Sequence, residues 1–465
     1  MSAPVIWIIF PAAVSILLFV IRKKWDLISI IQSGFCILLA VLIFFVKFEP
    51  AIRSRWFDIL LSPDLELLGR SLTLNEKYAS ITGVLYGFLG IWTLIQFFSG
   101  EKSLLTPLGL LFNALMLAAL TVEPFLYAAL IIEAAVIICV PILVATKERA
   151  NAGLSRFLIF QTLGMPFILL AGWFLAGGEI SPINEEQLLL ATLLLGLGFI
   201  FWLAVFPFHS WMPLISEKIK PINGLYILII LPVVGFLLLL KFLDGFVWLR
   251  DYALIYDSIR VFGLIMVVSG NVWAVFQTNL RKMLGYLAIS SLGTMLLSAS
   301  VNSNEGFVNG TFLILPRLAI FLLAAAAISF LEKEETPLTI YQLESAFFHS
   351  PLSSLGLIIA LISLTGMPLT IGFAPMLMLY RLLFDGSPIA AIIVLISTAW
   401  MAIFFLRIAY QVFLPTEFET SDEETLKEKI IMAVLLGGIL IAGFLPGPAF
   451  SFFANFISGF EFLIR

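Results

Sequence analysis

Within the long apolar runs of this 465-residue chain, few residues can carry a charge or move a proton: Glu133, His209, Arg317 and Arg407, with Lys241 near the end of a run. Glutamate and histidine exchange protons, so Glu133 and His209, together with Arg317, are the candidates for an ion path. Plainer roles stand beside that one. Glu133 and Arg317 could equally hold helices together through an ion pair or a carbonyl contact. Lys241 and Arg407 could snorkel to an interface, and His209 could satisfy a backbone carbonyl without titrating. No catalytic residue, metal ligand set or cofactor is expected. No Gly-rich nucleotide loop follows a strand, and Cys36 and Cys139 are too few and too far apart for a metal or iron–sulfur framework. Both cysteines read as small packing residues.

The position of His209 makes it more than a stray polar residue. The run Phe206-Pro207-Phe208-His209-Ser210-Trp211-Met212-Pro213 interrupts an apolar stretch with two prolines six residues apart. Proline removes a backbone donor and clashes with the preceding turn, so a helix passing through both is expected to break and to leave carbonyls needing water or a polar group. A second long run, 352–380, carries Gly366, Pro368 and Gly372 and is expected to break in the same way. Irregular backbone at membrane depth is tolerated only where it is buried in protein or lines a wet cavity.

The elements that must hold these residues follow from composition. Hydrophobic residues make up 61% of the chain and charged residues 12%, with a mean hydropathy of +1.09, so lipid is the expected solvent. Apolar windows near 4–21, 27–47, 78–98, 104–121, 125–146, 155–176, 188–214, 222–243, 258–276, 283–300, 308–331, 352–380, 388–411 and 430–446 predict an all-α polytopic membrane protein of about fourteen transmembrane helices, with the seventh and twelfth discontinuous. Continuous apolar runs exclude the alternation of a membrane β-barrel. A net charge of −4, without a basic face, excludes nucleic acid as a partner.

Residues 1–465 read as one transmembrane domain. Lys and Arg are about twice as frequent in loops after odd-numbered spans as after even-numbered ones, which puts odd loops in the cytoplasm and both termini on the outer side, in what is expected to be a prokaryotic inner membrane. The first run, Val5 to Ile21, is followed by Arg22, Lys23 and Lys24 and reads as a spanning helix rather than a cleaved signal. The charged stretches Glu332 to Glu335 and Glu417 to Lys429 are expected to be solvated loops or contacts for a soluble partner.

The Phe-Pro-Phe-His-Ser-Trp-Met-Pro run resembles the Pro-Phe-His-x-Trp-Leu-Pro signature of the antiporter-like subunits shared by respiratory complex I, Mrp-type sodium/proton antiporters and membrane-bound hydrogenases. Three further stretches resemble that family in the same order. Gln277 to Tyr286, continuing through Ser290, Ser291 and Gly293, is similar to its Asp-Leu-Lys-Arg-x-Leu-Ala-Tyr-Ser-Ser segment. Ser363 to Phe373 is similar to its Ser-Leu-x-Gly-x-Pro-Pro-x-x-Gly-Phe discontinuous helix, and Glu133 falls where the family carries an intramembrane glutamate. The resemblance covers an antiporter-like core at 100–410.

The departures carry mechanism. Where the resemblance implies a lysine seven residues before His209 stands Trp202. The expected eighth-span lysine has no counterpart in Leu228–Leu240, an eleventh-span lysine corresponds to Arg317, and a twelfth-span lysine or glutamate to Met376. A buried lysine can gain and lose its proton, whereas arginine stays charged and Trp and Met carry no exchangeable charge. The resemblance therefore implies a membrane-arm subunit of a complex I-like NADH:quinone oxidoreductase or related energy-converting complex. It would be a non-redox member among other membrane subunits, with its proton relay broken at several positions and Glu133 protonated or paired elsewhere. A self-contained cation/proton antiporter and the membrane subunit of an inorganic-carbon uptake system are the alternatives.

Overall fold

The computed structural model describes residues 2–46, 52–53, 58–59, 61–67, 69–144, 152–176, 185–332, 337–415, 424–460 and 462–463. They form a helical bundle, since an α-helix satisfies its backbone groups within one segment where water is absent. After a short π-helical turn at Val5–Ile9 come α1 (Phe10–Val20), α2 (Trp25–Phe45), α3 (Ala79–Phe98), α4 (Leu105–Thr121), α5 (Ala128–Leu143), α6 (Ala152–Ala176) and α7 (Glu185–Trp202). The middle of the chain holds α8 (Trp211–Lys218), α9 (Pro221–Gly245), α10 (Val247–Arg250), α11 (Ala253–Val275), α12 (Leu280–Ala299), α13 (Asn304–Phe312) and α14 (Ile314–Leu331). It closes with α15 (Ala346–His349), α16 (Pro351–Leu364), α17 (Phe373–Gly386), α18 (Pro388–Phe413), α19 (Leu426–Phe444) and α20 (Pro446–Ser458). Among the described residues nine helical stretches are long and apolar enough to cross a bilayer, and α19 with α20, bent by 76° at their junction, make one further pair.

The centre of the bundle is α9, buried along almost its whole length between α3, α4, α5, α12 and α14. Helices α2, α6, α11 and α18 expose large apolar side chains such as Phe45, Trp173, Trp273 and Trp400, as lipid-facing helices do. Sequence patterning did not anticipate a small antiparallel sheet. Strands β3 (Asp64–Leu67) and β4 (Arg70–Thr73) form a hairpin that also pairs with β5 (Val122–Glu123), and β1 (Ile52–Arg53) pairs with β2 (Asp58–Ile59). Two to four residues are too few for alternation to register as a strand.

Contacts sort the connecting segments into two groups. Ser2 bridges to Ser62, Arg70 bonds Tyr127, and the backbone N–H groups of Phe462 and Leu463 donate to Asp244 at 2.8 and 3.0 Å. These residues lie together at one end of the bundle. Lys220 meets Glu101 at 2.5 Å, Lys282 meets Glu217 at 3.1 Å, and Arg281 meets Glu332 at 2.8 Å, which gathers the loops after odd-numbered windows at the other end.

One expectation about those loops is corrected. Glu332 is not solvated: its side chain is fully buried, takes the Arg281 Nε–H at 2.8 Å and accepts from the Leu338 backbone at 2.9 Å. Glu424, in the second charged stretch, accepts from the Leu352 and Ser353 backbones and from Ser353 Oγ. It thereby caps the first turn of α16, whose free donors attract an anion. Of the expected partner-binding stretches, 333–335 and 417–423 lie outside the described residues, as does 145–151, while Thr425 to Lys429 cap and begin α19.

Two outcomes follow from this packing. A Cβ on Gly372 would lie 2.0 Å from the Ser363 carbonyl oxygen, so Gly372→Ala should destabilise the protein by about 1–3 kcal/mol, the range for overpacking, lowering the thermal midpoint of the purified protein. Breaking the Arg281–Glu332 pair from one side strands a buried charge, so Glu332→Ala should cost about 3–5 kcal/mol. The Arg281→Met/Glu332→Ala double variant should recover part of that loss, and a double variant no more stable than Glu332→Ala would contradict it.

Candidate ion-path residues at two helix breaks

The first break sits where the two prolines place it. Helix α7 ends at Trp202, Ala204 adopts a left-handed backbone with φ of 51°, and a 3-10 turn at Phe208–Ser210 leads into α8. Pro213 lies in the first turn of α8, where its missing donor costs nothing. His209 is buried, its ring stacked on Phe206 at 5.4 Å between centroids and 6.5 Å from that of Tyr286, and its Nδ1 has no hydrogen-bond partner. Helix α12 passes so close that a Cβ on Gly285 would meet Pro213 Cα at 2.6 Å.

The second break runs from Thr365 to Gly372, between α16 and α17. Gly366 holds φ at 72° with Met376 against it, a left-handed conformation that glycine adopts without strain and that Leu369, in the same break, also takes at 70°. The break faces Arg317, which is buried on α14 and donates through Nη1 to the Ala288 carbonyl at 2.7 Å and to Ser291 Oγ. Its guanidinium carbon stands 5.6 Å from the Phe321 ring centre, while Nε and Nη2 have no partner. Arg317, Ser290, Ser291, Thr294, Gly372 and Met376 line a cavity of about 40 Å³. Helix α12 thus ties the two breaks together, Gly285 and Tyr286 at one and Ala288 and Ser291 at the other.

Glu133 stands apart from both. It is half-buried on α5, Oε1 accepts from Thr162 Oγ1 of α6 at 2.9 Å, and Oε2 has no partner. No ion pair joins it to Arg317 or to any other described residue. Trp202, standing where a lysine was expected, is buried with its indole N–H unpartnered over Gly164. Of the expected site residues, then, the structure brings Arg317 together with Gly372, and His209 with Pro207 and Pro213, while Gly366 packs on Met376 and Pro368 is exposed in the second break. It leaves Glu133 linked to neither group.

Sequence reasoning undervalued Lys241. Though near a span end, it does not run out to open water: buried on α9, it donates to the Leu120 and Val122 carbonyls at 2.9 and 3.2 Å and pairs with Glu123 at 3.0 Å. It caps the C-terminus of α4, where last-turn carbonyls favour a cation. The signal was present in the position of Lys241 at the end of an apolar run opposite a second run ending in Glu123. Arg407, by contrast, is exposed on α18. Polar pairs between helices, Asn271 with Ser397 at 2.9 Å and Asn309 with Ser298 at 3.0 Å, carried no sequence signal at all.

Comparison with known proteins agrees with this architecture. The chain overlays on a chain of the Mrp complex from Dietzia sp. DQ12-45-1b with a TM-score of 0.81 at 16% identity, covering 99% of this chain and 97% of that one. It overlays on a chain of respiratory complex I from Thermus thermophilus with a TM-score of 0.78 at 17% identity, covering 99% and 100%; at such identities the likeness is one of fold. In sequence it is 30% identical over 268 residues to NADH-quinone oxidoreductase subunit N 1 of Herpetosiphon aurantiacus, 55% of this chain and 54% of the relative. It is 22% identical over 333 residues to subunit N of Deinococcus radiodurans, 67% and 66%. The chain therefore spans about half to two thirds of the length of these relatives. Residues 125–402, which carry both helix breaks, Glu133, His209 and Arg317, match the family described as NADH:quinone oxidoreductase/Mrp antiporter, transmembrane, and the chain belongs to that family of antiporter-like membrane proteins.

Proposed function

We propose that this protein is a membrane-arm subunit of a complex I-like NADH:quinone oxidoreductase or related energy-converting assembly, and that it joins neighbouring membrane subunits without running a complete proton relay of its own. One observation carries the second half. The ionisable residues of the core are each held in fixed contacts or isolated: Arg317 on a carbonyl and a hydroxyl, Glu133 on Thr162 with no basic partner. A relay needs every group to accept and release a proton in turn; Met376 offers neither a proton nor a polar partner for bridging water, and Trp202 offers only an indole N–H that does not titrate. The relatives named for NADH:quinone oxidoreductase favour the assembly reading over a self-contained antiporter, and electron transfer would belong to the partner subunits.

Nine long stretches, one bent pair and four shorter apolar helices are consistent with fourteen crossings of one transmembrane domain. In this reading the end holding Glu101, Lys220, Arg281 and Lys282 faces the cytoplasm, and the end with the β3–β4 hairpin faces outward, as the Lys/Arg bias requires.

Two measurements test this. Glu133→Gln keeps an acceptor for Thr162, so protons translocated per electron, corrected for the amount of assembled complex, should stay at the unaltered value. A clear fall in that ratio with assembly intact would return Glu133 to a working path. For orientation, cysteines at Glu66 and Lys102 report opposite ends against the buried background of Cys36 and Cys139. A membrane-impermeant maleimide should label Glu66→Cys in intact cells and Lys102→Cys only after permeabilisation, and the reverse pattern would invert the topology.

A further inference from the structure

The cavity beside Arg317 contains an electrostatic imbalance that the proposed function does not use. Arg317 is 2% exposed, its charge is fixed, and no carboxylate lines the cavity or pairs with it among the described residues. Nη1 is occupied by Ala288 and Ser291, but Nε and Nη2, both buried, have no partner. Ser290 also lines the cavity, and its hydroxyl makes no hydrogen bond to a described residue. The start of α17, just after Gly372 at the cavity wall, adds few donors: the Phe373 N–H goes to the Thr370 carbonyl, the Met376 N–H to the Gly372 carbonyl, and Pro375 has none.

The volume limits what can fill this space. About 40 Å³, against roughly 10–15 Å³ for each water, admits two or three waters or one small inorganic anion. Water could meet the hydrogen-bonding needs of Nε and Nη2 but would leave the buried charge uncompensated, and isolated charge at this depth is strongly disfavoured. The remaining hydroxyls around the space are committed elsewhere: Thr294 Oγ1 donates to the Ser291 carbonyl at 2.7 Å and Ser363 Oγ to the Ile359 carbonyl at 2.6 Å. The free donors are therefore Arg317 Nε and Nη2 and the Ser290 hydroxyl, and the small volume suits a single compact anion better than a carboxylate-bearing molecule.

We propose that Arg317 and Ser290 bind one halide-sized monoanion in the interior of the bundle, where it serves as the counter-charge of Arg317. This stands independently of whether the subunit moves protons, because its test reads anion binding and not translocation. The thermal midpoint of the purified, complete assembly is to be measured in sodium chloride and in sodium gluconate at equal ionic strength and pH. Chloride should raise the midpoint of the unaltered protein saturably. The effect should vanish in Arg317→Met, and the half-saturating concentration should rise several-fold in Ser290→Ala. Should Arg317→Met fail to assemble, the deciding observation is bromide anomalous density from crystals of the unaltered protein, expected within hydrogen-bond distance of Arg317 Nε or Nη2. Identical midpoints in chloride and gluconate, or bromide crystals with no anomalous peak at Arg317, would overturn the proposal and leave a water-filled cavity.

Discussion

In lipid, every backbone N–H and C=O must find its partner inside the protein, because an unsatisfied group there costs several kcal/mol. That constraint governs where this chain can depart from the helix and what must surround each departure. In each break the inner part is buried, Leu203 to Val205 in one and Thr370 to Gly372 in the other, while Phe206, Pro207 and Met367 to Leu369 are exposed. Each is closed locally by short-range backbone bonds, such as Phe208 N–H to the Val205 carbonyl at 2.7 Å and Phe373 N–H to the Thr370 carbonyl at 3.1 Å. Helix α12 touches both, and its small residues make the approach possible. The polar side chains of the core gather where backbone regularity lapses: His209 in one gap, Arg317 across from the other. Chemistry and irregular backbone share the same places because each needs the protein to supply what solvent would.

The distinction that decides function within such a scaffold is between charges that exchange and charges that stay. Lys241, Arg281 and Arg317 all end on carbonyl or carboxylate oxygens, and each contact joins elements distant in the chain. They act as clasps: α9 to the end of α4, α12 to the segment after α14, α14 to α12. A buried pair is weak evidence of net stability but strong evidence of geometry, since removing one partner leaves the other stranded.

Much of this was legible in the sequence, and the limits of legibility are physical. Continuous apolar runs mark helices because lipid tolerates nothing else, and paired Pro and Gly mark breaks because they alter the backbone itself, so α7, α8, α16 and α17 fell where expected. Pairing is a different matter. Nothing in Glu332 distinguishes it from the neighbouring charged residues until the chain folds Arg281 beside it, and Glu424 is a helix cap only because Pro351 begins α16 next to it in space. The β3–β4 hairpin was missed because its strands are shorter than any period they could display. Glu133 was found from its depth in an apolar run, but depth says nothing of partners, and Thr162 lies in another helix altogether.

Helix α9 has a further consequence. From Leu228 to Leu240 every residue is apolar, and nearly all of that stretch is buried at the centre of the bundle. Across an energised membrane each elementary charge that crosses dissipates about 2.3 kcal/mol per 100 mV, so a polytopic protein that strings its polar groups into a continuous file would short-circuit the gradient it is embedded in. Apart from the Leu228 carbonyl that Pro232 leaves without its helical donor, this apolar column offers water little foothold between the Lys241 end and the opposite end, and in electrical terms this part of the subunit is a dielectric.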